Sequence, residues 1–156
     1  MAITIEQLQI LLPDACAWAE QQEANILSHG VELTDIQISD AAKAGVNNPG
    51  KIRLLKVPSV PAPSDPVLAE AAAAINLITP NTLGMALRYG IFIRADAWGS
   101  REILVHECVH TTQYERLGGF LPFLKAYLHE CVTIGYPDCP MEQEAVRKAA
   151  EICRAA

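Results

Sequence analysis

Apolar residues recur at three- and four-residue steps through much of this chain, and the interruptions mark where its helices end. Ile5, Leu8, Leu11, Leu12, Ala15, Trp18, Ala19 and Ile26 share one face over residues 3–27, which predicts a long N-terminal helix. Pro13 lies inside that pattern and is expected to end a first turn or to kink the axis. A second helix is expected from near Leu33, with Thr34 or Asp35 as N-cap, to Gly45, ahead of the turn Asn47-Asn48-Pro49-Gly50. Lys51 to Val57 alternates as a strand does. Pro58 to Pro66 holds four prolines and reads as a surface crossing, and Asp65-Pro66 then opens a helix through Ile75.

From Leu83 to Arg94 the residues are β-prone, enough for one or two short strands, with Gly90 as a bulge candidate. Asp96 to Ser100 is a tight loop. A helix from about Ser100 to Leu117 follows, closed by Gly118-Gly119. Phe120 to Val132 is amphipathic again, Gly135-Tyr136-Pro137-Asp138 is a turn, and Pro140 starts a last helix from Met141 to about Arg154. These elements predict one α+β domain over residues 1–156. A short, mostly antiparallel sheet packs on the helix after Ser100. Residues 1–65 form an N-terminal layer, which has no assignable motif and serves as packing or as a substrate gate, and residues 66–156 carry the core.

Composition narrows the class. With 156 residues, 51% of them hydrophobic, the chain can bury a core without staples. No apolar run approaches the ~20 residues of a membrane span. The first residues lack a basic leader and include Glu6 and Asp14, so they read as a mature helix and not as a signal peptide. The net charge of -6, without a basic cluster, argues against nucleic acid as a partner. Five cysteines (16, 108, 131, 139 and 153), an odd count with no C-x-x-C pair, are expected to be reduced thiols in a cytoplasmic protein.

The chemistry concentrates at His106-Glu107-Cys108-Val109-His110, which reads H-E-x-x-H. Residues four apart on a helix share a face, so both imidazoles reach one ion, and Glu107 is near enough to contact a metal-activated water without ligating the metal. Ile103, His106, His110, Gln113 and Leu117 form one stripe, which places the histidines on the inward face. The residues therefore predict one Zn2+ on His106 and His110, with Glu107 as general base. Catalytic zinc takes three protein ligands and an open position. Gln113 and Arg116 occupy the places where a further ligand could extend this helix, Glu115 points away, and HECVT at 129–133 lacks a second histidine. Glu142 and Glu144 remain, with Glu142 favoured over Glu144 and either over His129. A capping-box role is the competing explanation for Glu142. Cys108, about 200° around the helix from His106, is read as a packed thiol. Tyr136, Tyr127, Tyr89 and Arg101 are candidates to stabilise an oxyanion.

Residues 83–145, with HECVHTTQYERLGG and GYPDCPMEQEA, resemble the core of small bacterial zincin-like metallopeptidase domains, whose pattern is H-E-x-x-H-x-x-Q followed by a distant E-x-E-A. The resemblance implies a peptidase-type site acting on a peptide or protein, an edge strand as one wall of the cleft, and a ligand Glu with a small residue three positions on, as Glu142 has in Ala145. The chain departs from the related gluzincins at Val146, where an Asp that orients a histidine is common. That duty then falls to Gln113, a backbone carbonyl or Asp96. The alternatives are a catalytically silent zincin-fold sensor or adaptor and a metal-dependent hydrolase of another amide.

Overall fold

A computed structural model describes residues 2–155. Six helices and four strands follow the order α1 (Ile5–His29), β1 (Val31–Glu32), α2 (Asp35–Ala44), β2 (Arg53–Val57), α3 (Pro66–Ala74), β3 (Gly84–Leu87), β4 (Gly90–Arg94), α4 (Arg101–Leu117), α5 (Phe120–Thr133) and α6 (Pro140–Arg154), with short 3-10 turns at Pro49–Lys51 and Ala95–Ala97. The class is α+β. Among the described residues no helix is long and apolar enough to cross a membrane.

Side-chain caps fix the helix starts. Thr4 and Thr34 each close a reciprocal capping box, with Gln7 and Gln37, and Asp65 accepts from the first turn of α3. α2 ends at Gly45 and α4 at Gly118, both in the left-handed conformation that favours glycine. α1 runs without a break through Pro13. Pro13 and Gln9 are both exposed, so water can meet the carbonyl that the proline leaves unpaired.

The sheet order is β1-β2-β4-β3, and the sheet is mixed: two of its three pairings are antiparallel, as expected, but the longest is parallel. β1 and β3 lie antiparallel to their neighbours, while β2 pairs in parallel with β4 from Arg53↔Gly90 to Val57↔Arg94. The cause is the β3–β4 hairpin. β4 is apolar on both faces and takes the centre, which leaves β3 at the edge and turns β4 to run alongside β2. Gly90 is no bulge, because it pairs in register with both neighbours. A Cβ there would lie 3.0–3.2 Å from the Ile26 side chain, so the glycine lets α1 lie close on the sheet.

Two apolar clusters cover the two faces of the sheet. Phe92, Met85 and Leu87 join Ile26 of α1 and Phe123 and Leu128 of α5 on one side. Ile91, Ile93 and Ala86 join Ala41 of α2, Val105 and Val109 of α4 and Ala145 of α6 on the other. The alternation along β3 and β4 is the two-residue period of a strand buried on both faces.

α4 lies against β3 and α2, and three of its side chains fix it there. At its start Arg101 pairs with the buried Asp40 of α2 at 2.8 Å. Midway, the Thr111 hydroxyl donates to the Arg88 carbonyl in the β3–β4 turn at 2.6 Å. Glu115 accepts from the Asn47 amide at 2.8 Å and from the Tyr89 hydroxyl at 2.7 Å. All five cysteines are free; Cys131 and Cys139 stand 4.0 Å apart, sulfur to sulfur, without a bond.

Candidate metal centre

His106 and His110 lie one turn apart on α4, with ring centroids 5.1 Å apart. Both face Glu142, in the first turn of α6. His106 Nε2 is 2.6 Å from Glu142 Oε1, and His110 Nε2 is 3.0 Å from Glu142 Oε2. One ligand atom from each of the three residues lies within 4.8 Å of the others, the only such group among the described residues. α6 can come this near because Ala145 and Ala149, both buried, present small side chains toward α4. The Glu130 side chain of α5 accepts the Met141 amide at 2.9 Å and fixes the start of α6 one residue before Glu142.

Further hydrogen bonds hold the trio. The Tyr127 hydroxyl of α5 donates to Glu142 Oε2 at 2.8 Å. Gln113 holds His110: its Oε1 is 2.8 Å from His110 Nδ1, while its Nε2 donates to the Met141 carbonyl at 2.9 Å and to Glu144 Oε1 at 2.7 Å. A carbonyl and a carboxylate can only accept, so the Gln113 amine must face them and its oxygen must face His110. Nδ1 of His110 therefore carries a proton, and Nε2 is the atom turned to Glu142.

The electrostatics follow from burial and proximity. Burial opposes charge on Glu142, but its hydrogen bonds to His106 and His110, and their charges, hold the carboxyl well below the usual range. Burial likewise opposes an imidazolium at His110. The hydrogen bond to Glu142 and the charges of Glu107 and Glu142 override it and lift His110 to about 9. Glu107 is buried beside the trio against β3, where burial raises its pKa even though both histidines pull it down. A Cβ on Gly84 would lie 3.2–3.3 Å from the Glu107 side chain. That glycine makes room for the carboxylate, and its position inside a β-prone run is the sequence signal that could have revealed it.

The other candidates separate cleanly. Glu144 points to Gln113, Arg116 and Lys148 instead of to the histidines. His129 is exposed on α5. Glu115 is engaged with Asn47 and Tyr89, away from the site. Asp96 pairs with Arg94 and orients no histidine. Arg101 is bound to Asp40 and Tyr89 to Glu115, so neither reaches the cluster. Tyr127 is committed to Glu142. Cys108 is buried in the apolar cluster on the α2 and α6 side, and burial pushes its thiol up to about 12. Tyr136 lines the cavity shared by His106, Glu107, His110 and Glu142, and its hydroxyl makes no hydrogen bond among the described residues.

No protein-family model, no curated protein and no solved structure matches this chain.

Proposed function

We propose that this protein is a zinc-dependent peptidase of the zincin-like kind, in which His106, His110 and Glu142 hold one zinc ion and Glu107 is the general base. The observation that carries the reading is the convergence of two imidazoles and a buried carboxylate from two helices beside a second buried carboxylate. The donor set fits the metal: two nitrogens and one carboxylate oxygen are what a catalytic zinc site draws from protein, with one position left open. The geometry also suits a cation, which would take the place of the proton that His110 otherwise holds. With Nδ1 as the N–H, a neutral His110 turns its Nε2 lone pair toward Glu142 Oε2, and two acceptors 3.0 Å apart need a proton or a metal ion between them.

Bound there, zinc would act as a Lewis acid toward a water molecule and the scissile carbonyl. The chain's own groups do the rest. Glu107 takes a proton from the attacking water and delivers it to the departing amine. Its burial raises the pKa toward the working pH, which makes the carboxylate a stronger base than a solvated glutamate. Gln113 fixes His110 in one tautomer and Tyr127 fixes the Glu142 carboxylate, so neither group has to reorganise. Tyr136 is the free hydroxyl on the cavity wall and is available to donate to the oxyanion. β3, at the sheet edge, forms one wall of the cleft for a peptide or protein substrate.

Glu107→Gln separates base from ligand. The variant keeps the zinc content of the native protein, and its turnover of a mixed peptide library falls by about 10²–10⁴-fold, the usual contribution of a positioned base. Native turnover in that variant would remove Glu107 from the reaction.

A further inference from the structure

Beside His106, Glu107, His110 and Glu142 a cavity of about 130 Å³ runs between α1, α3, α5 and β3. Its walls are aliphatic and aromatic: Leu11 and Trp18 come from α1, Leu68 and Ala72 from α3, and Leu124 and Leu128 from α5. Among the described residues no lysine, arginine or aspartate lines it. The only lining groups among the described residues that can carry charge near neutral pH are the four of the candidate centre. α3 contributes a wall although Leu68 is its only buried residue, so this helix covers the cavity more than it supports the core.

We propose that the substrate is an uncharged amide bearing an aliphatic chain that fills this cavity, and that the bond attacked lies away from any free amino or carboxyl terminus. The inference rests on the peptidase reading for the reaction but on the cavity alone for the ligand class. A free terminus within a residue of the scissile bond would bring its charge into a space where, among the described residues, no lysine or arginine meets a carboxylate and the imidazoles are already paired with Glu142. The carboxylates present are already committed to the imidazoles or to proton transfer, so an ammonium group finds no spare partner. An unpaired charge is costly to bury, whereas each methylene moved from water into such a wall strengthens binding by about fourfold, the equivalent of ~0.8 kcal/mol. The same chemistry is presented by a fatty acyl amide and by a leucine side chain in a blocked peptide.

Trp18 reports on the cavity directly. The chain has two tryptophans, so Trp98→Phe leaves Trp18 as the only one. In zinc-free Trp98→Phe protein, N-decanoylglycinamide and N-acetyl-Leu-Leu-amide are titrated against Trp18 fluorescence, with N-acetylglycinamide and unblocked Leu-Leu-amide as controls. The expected result is binding of at least one of the two aliphatic probes at least tenfold tighter than its control, and loss of that binding in Ala72→Phe, which fills the cavity from α3. Ala15→Phe fills it from the opposite wall and replaces Ala72→Phe if that variant does not fold. Binding of the acyl probe alone or the peptide probe alone supports the proposal and identifies the source of the chain. Equal affinity for probes and controls, or binding indifferent to both filling variants, overturns it. Repeating the titration with zinc and following hydrolysis keeps the two readings apart. Chain binding without zinc uptake refutes the peptidase reading only, whereas zinc-dependent cleavage confined to unblocked peptides refutes the ligand class only.

Discussion

His106-Glu107-Cys108-Val109-His110 on α4 and His129-Glu130-Cys131-Val132-Thr133 on α5 share four of five residues and the same secondary structure, yet they meet different surroundings. On α4 the first histidine faces a buried carboxylate and the glutamate is buried against the edge strand. On α5 the histidine is exposed and Thr133 donates back to the His129 carbonyl at 2.8 Å. Glu130 meanwhile accepts the Met141 amide, so the second segment anchors the helix that carries Glu142 toward the first. A histidine pair at helical spacing becomes a candidate metal centre only where another element delivers a third donor to the same face. The short pattern says which atoms can converge, and packing says whether they do.

The largest effect is expected at the residue that distinguishes the two segments' surroundings. Glu142→Ala, which removes the third donor and leaves both histidines, should weaken zinc binding by more than the roughly 10–100-fold that follows loss of a merely orienting group. Glu144→Ala and His129→Ala should bind zinc as the native protein does. A competition titration with a chromophoric chelator reads all three, and loss of zinc in Glu144→Ala alone would mean that α6 is rotated from the orientation described.

A pH scan of the zinc-free protein sharpens the contrast. Glu142 is held below its ordinary value of 4.5, so its contribution to stability is present above that pH and fades as the pH falls. His110 is raised from 6.5 to about 9, so its contribution is complete below 6.5 and is lost as the pH rises through 9. Thermal stability without metal should therefore peak between pH 4.5 and 6.5 and decline toward 9. Zinc requires neutral imidazole, so added metal should stabilise increasingly as the pH rises over the same range. A zinc-free protein with flat stability from pH 6 to 9 would contradict the ion-paired description of the cluster.

The smallest expected effect is on α5. Thr133→His completes H-E-x-x-H there, yet His129 belongs to no potential metal-holding group among the described residues, and zinc stoichiometry should not change. A second bound zinc would show that the pattern alone suffices.

The helix caps and the H-E-x-x-H stripe were legible because they are written in local spacing. Thr34, Asp65, Ser100 and Gly118 act through residues within one turn. Glu142 and Glu144 could not be resolved from spacing alone, since the choice depends on the rotation of α6 about its axis, and that is set by how Ala145 and Ala149 pack on α4. The parallel β2–β4 pairing was hidden for a similar reason. Strand order is decided by which strand can be buried on both faces, and the alternation of Lys51–Val57 carries no information about its neighbour. Pro13 ends no turn of α1 and Gly90 forms no bulge, because their consequences depend on exposure and on the approach of Ile26. The cavity was the least legible feature, since its walls come from α1, α3 and α5, which are far apart in the chain.

Elemental analysis of the purified protein, after dialysis against zinc and then metal-free buffer, tests whether two histidines and Glu142 form a metal site. Close to one zinc per chain is expected in the native protein and none in His106→Ala or His110→Ala. A native protein that retains no transition metal, or histidine variants that retain it in full, would exclude a metal site at His106, His110 and Glu142.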